Sequence, residues 1–169
     1  IILNHKDNLP AWNETVPVKK LLKYKPNPKE KALLIYTSGT TGRPKGVIHT
    51  HESLLYGGWN TEVAHELAPD DNSLCVLPLC HINAQVVSVM GTLINGSGLV
   101  MPQSFKASKF WSWIVDQKCT WFSAVPTILS YLMNIEEGEN IKSKLGRVRF
   151  GRSASAALPP ALHKAFEER

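Results

Sequence analysis

A layered α/β fold, with mostly parallel strands and packed helices, is what this sequence predicts, and three observations carry the prediction. Short apolar or β-branched runs recur at 33–37, 73–77, 99–101, 121–125 and 147–150, each the length of a buried strand. The stretches between the later runs have helical spacing, as Phe110, Trp113, Ile114 and Gln117 illustrate. Turn residues, Pro69-Asp70-Asp71-Asn72 and Asn95-Gly96-Ser97-Gly98, separate the two kinds of segment. Strands alternating with helices return parallel in a layered sheet.

Taken in order, residues 1–31 form a basic, proline-containing lead-in, and residues 32–169 form the folded domain. Strand 33–37 runs into a glycine-rich loop, and the β-branched stretch 47–49 reads as a second strand. A helix follows over 51–65, with the Thr50 hydroxyl placed to cap it. Beyond strand 73–77, residues 82–93 are apolar enough for a buried helix, and 99–101 is a short strand. Helix 106–118 precedes strand 121–125, and Pro126 opens helix 127–134. Strand 147–150 leads to helix 160–168, with Ser155 as its cap and Pro159 and Pro160 within its first turn. Trp59, Trp111, Trp113 and Trp121 fit core positions, and Glu136-Glu137-Gly138-Glu139 fits a solvated loop.

Composition narrows the classes. A chain of 169 residues, 43% hydrophobic and 20% charged, suits one ordinary core rather than a disordered tail. No run approaches the ~20 apolar residues of a membrane span. The opening Ile1-Ile2-Leu3 has neither an initiator methionine nor a basic signal-peptide region, so the expectation is a soluble piece cut from a longer chain. Cys75, Cys80 and Cys119 give neither an even set nor a C-x-x-C spacing; no metal site is expected on them, and a reducing cytoplasm is the expected compartment. The net charge of +5 comes largely from Lys19, Lys20, Lys23, Lys25, Lys29 and Lys31. They lack the aromatic interleaving of a nucleic-acid surface and read as a solvated linker face.

The chemistry concentrates between Thr37 and Gly46. In TSGTTGRPKG, three glycines permit close backbone approach, four hydroxyls (Thr37, Ser38, Thr40, Thr41) supply short donors, and Lys45 adds a mobile charge. That is the composition of a polyphosphate cradle. A Walker loop needs glycine before its lysine and Ser or Thr after it, leading into a helix. Here Pro44 and Gly46 flank Lys45, and a strand follows. A P-loop nucleotide hydrolase is therefore disfavoured, and a flap joining two strands is expected.

Two further segments carry polar groups into apolar surroundings. Leu77-Pro78-Leu79-Cys80-His81-Ile82-Asn83-Ala84-Gln85 sets His81 between apolar neighbours, where a satisfied semi-buried histidine and a site residue are both open readings. Phe150-Gly151-Arg152-Ser153-Ala154-Ser155-Ala156-Ala157-Leu158-Pro159 is a strand followed by small residues that suit close approach of a ligand.

The string YTSGTTGRPKGV, Tyr36 to Val47, resembles the phosphate-binding signature of the adenylate-forming superfamily, and the two later segments resemble that family's next motifs, nearest to its acyl-CoA synthetase branch. The resemblance implies an AMP-forming ligase, in which a carboxylic acid, fatty or related, reacts with ATP to an acyl-adenylate and is then passed to coenzyme A. It implies ATP phosphate contacts from Thr37, Ser38, Gly39, Thr40, Thr41, Gly42 and Lys45, with Lys45 and His81 as catalytic groups. It places His81, Asn83, Gln85, Ser153, Ala154 and Ser155 around the acyl and adenine pocket. His81 is expected to orient rather than to act as base, because a carboxylate is already ionised near neutral pH. The family pattern has Gly and Pro where Ala154 and Ala157 stand, which narrows the pocket. The family's magnesium-binding glutamate, ribose-binding aspartate and C-terminal lysine find no counterpart before Arg169, so the chain alone is expected to be inactive. The alternatives are a degenerate nucleotide-binding module and an adenylation enzyme that loads a carrier protein.

Overall fold

Two runs with β-branched and apolar residues, separated by the glycine-rich turn, pair with each other in the computed structural model, which describes residues 25–37, 43–135 and 141–169. β1 (Lys31–Thr37) and β2 (Lys45–Thr50) form an antiparallel hairpin with Thr37 opposite Lys45. The expected strand-to-strand connection is thereby realised, and the turn leaves and re-enters the hairpin at those two residues. β2 ends at Thr50, and α1 (His51–His65) begins at the next residue. The reason is a reciprocal cap: the Ser53 amide donates to Thr50 Oγ1 at 3.2 Å and the Thr50 amide to Ser53 Oγ at 3.0 Å.

The second sheet is all parallel. Its strands are β3 (Asn72–Cys75), β4 (Gly98–Val100), β5 (Trp121–Ala124) and β6 (Phe150–Ser153), in the order β4-β3-β5-β6. Between them lie a π-helical segment (Asn83–Met90) continuing into α2 (Gly91–Asn95), then α3 (Ala107–Asp116), α4 (Pro126–Met133), α5 (Ile141–Lys144) and the final α6 (Pro160–Glu168). Strand alternation divides the sheet chemically. Leu74, Phe122 and Ala124 join Phe110, Ile114, Ile128, Leu129 and Leu132 in one apolar core, against which Leu162 and Phe166 of α6 also pack. Phe110 meets Phe122 edge-to-face, with centroids 5.1 Å apart. Ser73, Cys75, Trp121 and Ser123, the intervening residues, are equally buried on the other face.

That other face is covered by the π-helical segment, with α1 outside it. The close packing has a sequence cause in Gly57 and Gly58: a Cβ on Gly58 would stand 2.6 Å from Ile94 Cδ1 and 2.8 Å from the Met90 carbonyl oxygen. A glycine inside a helix costs about 1 kcal/mol relative to alanine, which here is offset by the approach of two backbones.

Several expectations are corrected. The last strand lies at Phe150–Ser153 rather than 147–150, because the chain is still turning at Gly146 and Arg147, where the Val148 amide donates to the Leu145 carbonyl at 2.8 Å. The 82–93 helix is π-helical through Met90 and α-helical only from Gly91. Ser155 is not a cap: Pro159 holds that position without a side-chain bond, and Ser155 sits at φ 70°. Trp121 is fully buried, but Trp59 is 52% exposed on the outer side of α1 and belongs to no core. The acidic stretch 136–139 and residues 1–24 of the basic lead-in lie outside the described residues.

One buried carboxylate ties the amino ends of the strands. Asp71 accepts from Thr120 Oγ1 at 2.6 Å, from the Ala68 amide at 2.8 Å and from Arg149 Nη1. Arg149 Nη2 in turn donates to the Glu66 carbonyl at 3.0 Å, at the end of α1, where a cation suits the helix dipole. Burial pushes the Asp71 carboxyl up, but the bonds from Thr120, Arg149 and Ala68 and the arginine charge outweigh it, and the net shift is below the ordinary 3.8. A depressed carboxyl contributes stability that is present above its unfolded pKa and is lost as pH falls through the folded value. Calorimetry should therefore show the midpoint dropping as pH goes below about 4. Asp71→Ala should cost about 3 kcal/mol near neutrality, roughly 6 to 12 °C, and should flatten that acid dependence. A variant as stable as the parent would contradict the clamp.

Candidate active site

The glycine-rich turn enters and leaves the hairpin through exposed residues. Thr37 Oγ1 donates to the Lys45 carbonyl at 3.4 Å, so the two ends are held together while the Lys45 side chain extends from an exposed strand start. Ser38, Gly39, Thr40, Thr41 and Gly42 lie outside the described residues.

A second cluster forms at the carboxyl ends of the parallel strands. After β3 the chain turns at Pro78–His81: the His81 amide donates to the Pro78 carbonyl at 3.1 Å, and the His81 carbonyl accepts from the Ala84 and Gln85 amides. Gln85 Nε2 closes the turn on the Leu79 carbonyl. His81 is exposed at this corner, so it is no satisfied core histidine. Asn83, two residues on, is buried at the start of the π-helical segment. Its Oδ1 accepts from Ser123 Oγ at 3.1 Å and from Arg152 Nη1 at 2.9 Å, and its Nδ2 donates to Ser155 Oγ at 3.2 Å. Arg152 Nη1 also reaches Ser123 Oγ at 3.2 Å.

Topology explains the meeting place. From β3 the chain crosses to β4 on one side, and from β5 it crosses to β6 on the other. The crevice outside the carboxyl ends of β3 and β5 is thus a switch point, where open parallel sheets bind ligands. Asn83, Ser155, Ser123 and Arg152 converge there. Ser153 does not join them, because alternation turns it to the opposite face, where its Oγ is buried without a hydrogen-bond partner. Ala154 is held by its amide to the Ala124 carbonyl at 3.1 Å. Thr37 and Lys45 share no hydrogen bond with the cluster among the described residues.

Sequence reasoning passed over Ser123 and Arg152. Arg152 had a readable signal, a lone cation set between Gly151 and the small residues from Ser153 to Ala157. Burial alone lowers its proton affinity from the ordinary value.

Two of the three thiols are unsuited to chemistry. Burial raises the Cys75 thiol, against weaker opposing bonds from Ser88 and Leu77, and raises Cys119 to about 12; neither is a ready thiolate. The cleft bounded by Glu66, Asp71, Thr120, Arg147 and Arg149 lies at the amino ends of the strands, and the Asp71 carboxylate in it is committed to the clamp.

With this geometry in place, comparison with known proteins is direct. Residues 2–169 match the AMP-binding enzyme family, and the chain belongs to it. It is 50% identical over 144 residues to sulfoacetate–CoA ligase of Cupriavidus necator, covering 85% of this chain and 28% of that protein. It is 33% identical to oxalate–CoA ligase of Arabidopsis thaliana, covering 84% of this chain and 28% of that one. It is also 33% identical to a long-chain-fatty-acid–CoA ligase, FadD13, of Mycobacterium tuberculosis, covering 79% and 26%. Among solved structures, ATP-bound MatB from Rhodopseudomonas palustris superposes with a TM-score of 0.75 at 26% identity, over 85% of this chain and 28% of that one. The chain therefore spans little more than a quarter of the length of these relatives.

His81→Ala should leave the thermal midpoint within about 2 °C of the parent, since an exposed side chain surrenders few contacts and the turn is held by backbone bonds. Calorimetry on the chain measures this, and a fall of more than about 5 °C would return His81 to a structural role.

Proposed function

We propose that the protein carrying this chain is an AMP-forming acid–CoA ligase. The observation that carries the reading is the TSGTTGRPKG turn set between paired strands, with Thr37 opposite Lys45. In the first step a carboxylate oxygen of the acid bonds to the α-phosphorus of ATP, the bond from that phosphorus to the bridging oxygen breaks, and pyrophosphate leaves. In the second, the thiol sulfur of coenzyme A bonds to the acyl carbon, AMP departs, and the thiol proton is released to solvent. The whole activity requires more chain than these residues supply, if the protein follows its relatives in length.

In this reading Thr37, Ser38, Gly39, Thr40, Thr41, Gly42 and Lys45 hold the β- and γ-phosphates. Their N–H, hydroxyl and ammonium donors spread the charge that develops on the departing pyrophosphate. His81 orients the acid, and Asn83, Gln85, Ala154 and Ser155 wall the acyl and adenine pocket. Magnesium accompanies ATP as a rule. Among the described residues no group of three or more His, Cys, Asp or Glu could hold a metal ion. Among the described residues no helix is long and apolar enough to cross a membrane, and the three free thiols suit a reducing cytoplasm.

The names of the relatives span two-carbon acids with a second acidic group, sulfoacetate and oxalate, and long-chain fatty acids. The Arg152 charge, held by the neutral Asn83 and Ser123 oxygens, favours the first kind over an alkyl chain, which would bring it no counter-ion.

Lys45→Ala in the full-length protein removes one charge-assisted phosphate contact and should lower acid-dependent ATP–pyrophosphate exchange roughly ten- to hundred-fold. Loss confined to the thioester-forming half-reaction, with exchange intact, would contradict the assignment of the turn to ATP.

A further inference from the structure

Arg152 carries a charge that its surroundings do not match. It lies half-buried in β6, one residue before the strand's end, and its bonds, to Asn83 Oδ1 at 2.9 Å and Ser123 Oγ at 3.2 Å, go to neutral oxygens. No carboxylate pairs with it among the described residues. Arg149, three residues earlier, forms the contrast: its charge is met by Asp71 and by carbonyls at the end of α1. Withdrawing a cation from water without a counter-ion costs several kcal/mol, which makes Arg152 a poor structural device and a good receptor for an anion.

The geometry fits an incoming ligand. Both bonds leave from Nη1; Nη2 and Nε make none among the described residues, so one edge of the guanidinium fork remains open for bidentate pairing with a planar or tetrahedral oxyanion. Asn83 and Ser123 brace the inner edge and fix its direction. The site is the switch-point crevice, with the exposed His81 corner two residues from Asn83.

We propose that Arg152 is the specificity-determining residue of the acid site, binding the second anionic group, carboxylate or sulfonate, of a short acid whose other carboxylate is activated. This rests on the ligase reading. The same fork could in principle serve a nucleotide phosphate, so the test must separate acid from ATP.

The test is pyrophosphate exchange by the full-length protein with acids matched in shape but not in charge: sulfoacetate against methylsulfonylacetate, and malonate against its monomethyl ester. The wild type should prefer the doubly charged member at least about tenfold in kcat/KM. Arg152→Met should raise KM for the doubly charged acids roughly 10- to 100-fold, leaving KM for the neutral partners and for ATP within about threefold. Arg152→Lys, which keeps the charge and loses the fork, should fall between, and it decides the matter if the methionine variant does not fold. The inference is overturned by an equal loss for both members of each pair, by a KM change for ATP alone, by unchanged KM in both variants, or by a wild-type preference for the neutral acids. In all of those cases exchange itself persists and the ligase reading survives. A folded wild-type protein that exchanges with no acid would overturn that reading, and this inference with it.

Discussion

The buried Asp71 carboxylate is the constraint from which the rest of the arrangement is built. Through Thr120, Arg149 and the Ala68 amide it joins the starts of β3, β5 and β6 to the end of α1. Strands of only three or four residues have few ladder bonds to fix their register. With their amino ends pinned by charge-assisted bonds, the opposite ends arrive in register as well: Ser123 stands beside Arg152, and Asn83 enters from the segment after β3. The two clusters use arginine in opposite ways. Arg149 is neutralised and structural, whereas Arg152 is braced by neutral groups and meets no carboxylate among the described residues.

The two faces of the sheet divide the labour. The face carrying Leu74, Phe122 and Ala124 supplies apolar burial, at about 1.5 to 3 kcal/mol for each large side chain removed from water. The face carrying Ser73, Cys75, Trp121 and Ser123 gives up some of that burial for polar groups near the crevice. Gly57 and Gly58 let α1 press close to the π-helical segment on this side. Widened turns of that kind recur at functional sites, and here the segment begins at Asn83.

Much of this was legible in the residues. The strand-helix alternation, the Thr50 cap, the Pro126 helix start and the two-strand setting of the phosphate turn all follow from local chemistry, and the fold bears them out. What escaped was set by distant partners. Arg149 looks like an ordinary strand residue, and nothing near it in the sequence points to the carboxylate that its side chain meets, Asp71, seventy-eight positions away. Ser155 looks like a cap until Asn83 claims its hydroxyl. Trp59 looks like core by composition alone, and nothing local tells which side of α1 faces outward. Arg152 is plain in the sequence, but its significance lies in having no paired carboxylate among the described residues, which only the folded arrangement reveals.

The central claim is that one chain brings together a phosphate-holding turn and an anion-reading acid crevice. A crystal structure of the full-length protein with sulfoacetate and a non-hydrolysable ATP analogue tests it most directly. The account predicts the sulfonate within hydrogen-bond distance of Arg152 and the β- and γ-phosphates against the turn from Thr37 to Lys45. A sulfonate seated away from Arg152, or a triphosphate bound elsewhere, would contradict it.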